Sequence, residues 1–270
     1  MHLLILLPLL AIVGGGVGFF LRQQELALAF DSDGLHIPGT PVTLTLIVFS
    51  AALAVVILLL CLAARKKTFP VGEAFFARGS RRHLVLCAAD GLLFVAAAVV
   101  GLIRELSLSS PNSLQIILYI LCFLCAGAVI LSGIRNFRGK AKPYSFTALI
   151  PPAFCCVWLI AICQGCISDP VVLHYIYRVF AIIFSLLGFY YAASFAHAKA
   201  KPTAFLTVSL LGIYFGLITV ADGHDVSTLL LLLAVMLYLL VHATLLLRRC
   251  FPRPKNHLQK NQNSGGDPHE

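Results

Sequence analysis

Charge is scarce in this chain. Only 11% of its 270 residues are Asp, Glu, Lys or Arg, against about 25% in a soluble domain. That shortage excludes an ordinary cytosolic enzyme, a disordered chain and a small secreted disulfide scaffold. Familiar chemical signatures are missing too. The apolar runs carry no nucleotide loop, no zincin pair, no Ser/His/Asp series and no paired carboxylates. No basic stripe interleaved with aromatics runs along a polar segment, so no nucleic-acid partner is expected. The in/out alternation of a membrane barrel is absent as well.

What the chain has is apolar length. Apolar residues make up 60% of it, and its mean hydropathy is +0.94. Eight apolar runs are legible, at 3–21, 42–64, 84–103, 114–134, 146–166, 171–196, 203–220 and 226–247. Each is near the ~20 residues a helix needs to cross a hydrocarbon core of ~30 Å. In lipid the backbone must satisfy its own hydrogen bonds, so runs of this length form helices. The fold class expected is all-α, a polytopic transmembrane helix bundle of about eight spans. Residues 1–247 form a single transmembrane domain, and 248–270 a basic, polar, disordered tail. The first run lacks the positive amino end and the short core of a signal peptide, so it reads as a retained span.

Basic residues set the expected orientation. Arg65, Lys66, Lys67, Arg78, Arg81 and Arg82 lie between runs two and three, and Arg135, Arg138, Lys140 and Lys142 between runs four and five. Lys199 and Lys201 lie between runs six and seven, and Arg248, Arg249, Arg253, Lys255 and Lys260 after run eight. The opposite side carries Arg22 and Arg104. By the positive-inside rule the N-terminus and the C-terminus are both cytoplasmic. The location expected is the cell membrane, with the lipid bilayer as the partner and homo-oligomerisation or a membrane-complex partner left open.

Nine cysteines fall mostly inside apolar runs, where a free thiol behaves as a small apolar residue. Cys163-Gln164-Gly165-Cys166 has redox spacing, but it sits at a helix carboxyl end, where the dipole disfavours a thiolate. Cys122 and Cys125 share that spacing in mid-span, with no base in view. Lys140-Ala141-Lys142-Pro143 and Lys199-Ala200-Lys201-Pro202 echo each other 59 residues apart. Duplicated hairpins and convergent anchoring both explain that.

Two ionisable residues lie deep in apolar runs, Asp90 and Arg178. An intramembrane charge costs roughly 2.5–3.5 kcal/mol or more, so it faces a protein interior or a cavity. His83, Cys87 and Asp90 share one helical face; His174, Arg178 and Ser185 share another. Each charge is ~10 Å in from its own end, and the two ends are opposite, which leaves ~10 Å of axial separation in a ~30 Å core. Asp90, Arg178 and His174 form the candidate intramembrane polar site. Pro151 and Pro152 are the candidate kink, because proline frees carbonyls within a helix. Gly14/Gly18 and Gly212/Gly216 have the spacing of close-packing faces. Asp222-Gly223-His224-Asp225 and Asp31-Ser32-Asp33-Gly34 read as turns. No catalytic residue, metal or cofactor is assigned. The pattern points to a small permease-like or solute-handling protein. A non-catalytic sensor, assembly factor or complex subunit is the alternative, and an intramembrane thiol-redox enzyme is a second.

Overall fold

The computed structural model describes residues 2–31, 35–64, 80–138, 146–167, 175–196 and 201–250. Eight helices follow one another: α1 (His2–Leu28), α2 (Pro41–Ala64), α3 (Arg81–Leu106), α4 (Ser113–Arg138), α5 (Ile150–Ile167), α6 (Ile176–Ala196), α7 (Pro202–Thr219) and α8 (Val226–Cys250). All eight are long and apolar enough to cross a membrane. Among the described residues there is no strand, only an isolated bridge between Phe30 and His36. The protein is thus an all-helical, multi-pass membrane protein.

The helices alternate in direction. The carboxyl ends of α1 and α7 meet where Arg22 pairs with Asp222, and the end of α3 meets the start of α8 where Arg104 pairs with Asp225. At the opposite end, His83 near the start of α3 packs its ring on His242 near the end of α8. The first will be called the α7–α8 end. The second carries Arg81, Arg82, Arg135, Arg138 and Arg248 and will be called the basic end. Arg81 and Arg82 stand in the first turn of α3, against the helix dipole; only Ser80 caps that turn, its Oγ accepting from the His83 N–H at 3.4 Å.

Each of α3 to α8 packs on the next, and α8 returns to α3. Six helices therefore close a ring, with α1 and α2 laid outside it against α7. Aromatic side chains cross the ring interior. Phe94 of α3 meets Phe154 of α5 edge-on at 6.0 Å, Phe154 packs on Trp158, and Phe189 of α6 lies 4.5 Å from Tyr238 of α8. The Cys122 thiol donates to the Phe94 carbonyl at 3.2 Å. Burial is uneven around the bundle: 72% of the α7 span is buried, against 28% of the α2 span. The exposed face of α2 is Leu44, Ile47, Val48, Val55, Val56, Leu58 and Leu59, a surface that hydrocarbon solvates without cost.

Two boundaries differ from the hydropathy reading for physical reasons. α1 continues past residue 21 to Leu28, because the charges of Arg22 and Glu25 are buried together and do not end the span. Pro151 and Pro152 occupy the first turn of α5, directly after the 3-10 turn Thr147–Leu149. A proline there removes an N–H that the first turn leaves unpaired anyway. The discontinuity therefore lies at the helix start, and both prolines are buried.

Candidate functional site

The ring opens at the α7–α8 end into a cavity of about 250 Å³. α3 supplies Arg104 and Glu105, α4 supplies Gln115 and Tyr119, α5 supplies Trp158 and α6 supplies Arg178. Asp225, at the start of α8, closes the wall. Arg104 Nη1 reaches Asp225 at 2.9 Å and is itself 61% exposed, so this pair is solvated and adds little stability. Glu105 accepts from the Asn112 N–H at 2.6 Å, and the Tyr119 hydroxyl lies 3.1 Å from that of Ser227.

The turn before α8 explains how Asp222 and Asp225 face different neighbours. Gly223 has φ +67°, a left-handed conformation that L side chains adopt with strain. Past that bend Asp225 becomes the cap of α8. It accepts from the Thr228 hydroxyl at 2.8 Å, from the Thr228 N–H at 3.4 Å and from the Ser227 hydroxyl. Burial pushes its carboxyl up, but those hydrogen bonds and Arg104 outweigh burial and hold it at about 2. His224 is lowered too: burial first, then the nearby Arg178 cation, push it down to about 4.

Behind the cavity lies a buried ionic network. Arg22 is fully buried, with Nη1 at 2.7 Å from Glu25 and Nε at 2.7 Å from Asp222. Its guanidinium carbon also lies 5.0 Å above the Tyr177 ring. Arg178, half-buried, lines the cavity and exerts its charge on Asp222 and His224. It links the network to the cavity. Several buried atoms here have no protein partner: Glu25 Oε1, Tyr177 Oη, Thr219 Oγ1, Asp222 Oδ2 and His224 Nε2. Each unmet group costs about 1–3 kcal/mol if left dry; these residues stand behind the cavity wall and do not line it.

A second cluster lies at the basic end. His83, Cys87 and His242 are all buried, and their ligating atoms lie within 4.8 Å of one another. Cys87 Sγ is 3.5 Å from His83 Nε2, and the His242 Nδ1–H donates to the Tyr238 carbonyl at 2.9 Å. Asp90 is one turn further along α3, 2% exposed, and its Oδ1 has no hydrogen-bond partner.

The candidates from sequence distribute as follows. Asp90 joins the basic-end group, and Arg178 joins the cavity at the α7–α8 end. His174 lies outside the described residues, as do both Lys-Ala-Lys-Pro segments except Lys201 and Pro202. Arg22 and Glu25, read from sequence as loop charges beyond the first span, are instead the most deeply buried ion pair described. Cys122, Cys125 and Cys163 carry free thiols; the Cys166 side chain lies outside the description. Asp31 Oδ1 accepts from the Leu35 N–H at 2.8 Å; Ser32, Asp33 and Gly34 lie outside the described residues. His242 had only one sequence signal, a lone histidine inside an apolar run.

A ring of spans with a polar mouth and buried ionisable groups defines a multi-pass membrane protein with an internal polar site. The chain matches no protein-family model, no curated protein and no solved structure.

Proposed function

We propose that the protein is a permease-like, solute-handling membrane protein whose solute site is the cavity at the ring mouth. One observation carries this reading: Arg178, a cation within an apolar span, lines the same cavity as the Arg104–Asp225 pair at its rim. Ionisable side chains at such positions mark solute paths. A guanidinium presents a planar fork that matches a carboxylate bidentately, so the solute class is a small organic carboxylate. At about 250 Å³ the cavity is smaller than the roughly 300–1,000 Å³ of pockets for drug-sized ligands, so the solute is small. Glu105 and Asp225 on the same wall offer acceptors to a donor group on that solute. The Phe94–Phe154–Trp158 packing closes the ring beneath it.

The test is flux. Purified protein in liposomes is supplied with labelled small carboxylates under an imposed gradient. The wild type accumulates at least one of them, and Arg178→Gln lowers the rate at least tenfold, about 1.4 kcal/mol. A folded Arg178→Gln protein with unchanged flux, or a wild type that moves none of them, defeats the proposal.

A further inference from the structure

The basic-end cluster has no part in the solute reading, and it has the composition of a metal centre. We propose that His83, Cys87 and His242 hold one transition-metal ion of the borderline class, Zn²⁺ in particular, and that Asp90 supplies the balancing negative charge. Imidazole and thiolate together select such ions over Mg²⁺ or Ca²⁺.

Distances support it. Ligands at ~2.3 Å (sulfur) and ~2.0 Å (nitrogen) from a tetrahedral ion stand about 3.5 Å apart. The separation of Cys87 Sγ and His83 Nε2 is 3.5 Å. The widest pair in the trio, within 4.8 Å, needs to close by up to about 1.5 Å to share an ion. The shell behind the ligands is also suited. A ligating histidine ordinarily donates its second ring N–H to a carbonyl, which fixes the tautomer. His242 does this through Nδ1 to the Tyr238 carbonyl.

Charge closes as well. Binding releases the protons of the Cys87 thiol and of the buried Asp90 carboxyl to solvent, so the dication meets one thiolate and one carboxylate. Asp90 lies one turn from Cys87, with Oδ1 unpaired. Exposures of 5% for His83, 3% for Cys87 and 4% for His242 keep the site out of solvent, and three protein ligands leave the fourth tetrahedral position to water or to the Asp90 carboxylate. Its place gives it a task. His83 and Cys87 are on α3 and His242 is on α8, the two helices whose packing closes the ring. The ion would staple that seam.

The test uses full-length protein in detergent, titrated with Co²⁺ as an optical probe and with Zn²⁺ as competitor. About one Co²⁺ per chain is expected, with thiolate-to-metal charge-transfer absorption that Zn²⁺ abolishes. Cys87→Ser removes that absorption, and His83→Gln or His242→Gln weakens binding at least tenfold. Replacing the tail residues His257 and His269 changes nothing. The proposal is overturned if the wild type shows no such absorption or if Cys87→Ser retains it. Should the variants not fold, the wild type decides alone: Zn²⁺ raises its unfolding midpoint, and an unchanged midpoint overturns the site.

Discussion

Arg22 illustrates what one buried cation demands. Its two carboxylate partners, Glu25 and Asp222, come from its own helix and from the far end of the chain. Removing the guanidinium strands both in a dry setting, and breaking a buried pair from one side costs about 3–5 kcal/mol. Arg22→Gln therefore lowers the resistance of the detergent-solubilised protein to thermal or SDS unfolding by about that amount. Combining Arg22→Met with Glu25→Gln and Asp222→Asn restores most of it. A single variant as robust as the wild type would show that water already solvates the pair. Nothing in the sequence announces this triad. Hydropathy falls at Arg22 whether the charge is exposed or neutralised, and the decisive partner is remote in sequence. His83, Cys87 and Asp90 were legible together because they lie on one helical face; His242 was not, because it arrives from another helix.

At the scale of the helix, glycine placement governs how near neighbours come. A methyl added at Gly101 would overlap the Tyr119 ring, and one at Gly133 would come within 2.6 Å of the Cys87 Cβ. These residues seat α3 against α4. By contrast, a methyl at Gly16 or Gly127 meets nothing within 4 Å. Gly101→Val displaces Tyr119, costs it the contact with Ser227 and destabilises by about 1–3 kcal/mol, while Gly127→Ala is neutral. Unfolding midpoints of the two variants side by side check this, and equal midpoints would refute it. The paired-glycine spacing legible in α1 does mark close approach, but not one face: Gly14 meets Leu53 of α2 and Gly18 meets Ile218 of α7. Two α3 glycines that α4 approaches, Gly91 beside Ile130 and Gly101 beside Tyr119, lie ten residues apart and so escape that spacing rule.

For the whole molecule, the eight spans followed from length and apolarity alone, because lipid admits so few alternatives. Which helices close the ring did not follow, since spans that are apolar all round carry little periodicity to say which face meets which neighbour. Orientation rests on the basic residues. We propose that the basic end faces the cytoplasm. Single thiols introduced at Asp31 and at Gly139, with Cys156 and Cys163 replaced by Ser, are then treated on intact cells with an impermeant maleimide. Position 31 labels and position 139 does not; the reverse pattern inverts the protein. One consequence of the deep burial of α7 concerns synthesis. Translation delivers this helix second to last, so the earlier six must wait in the bilayer with acyl chains lodged where it will later lie. Expelling those lipids precedes the closure of the ring by α8 on α3, and a ribosome halted just before residue 202 would leave a nascent protein with an open, lipid-filled cleft.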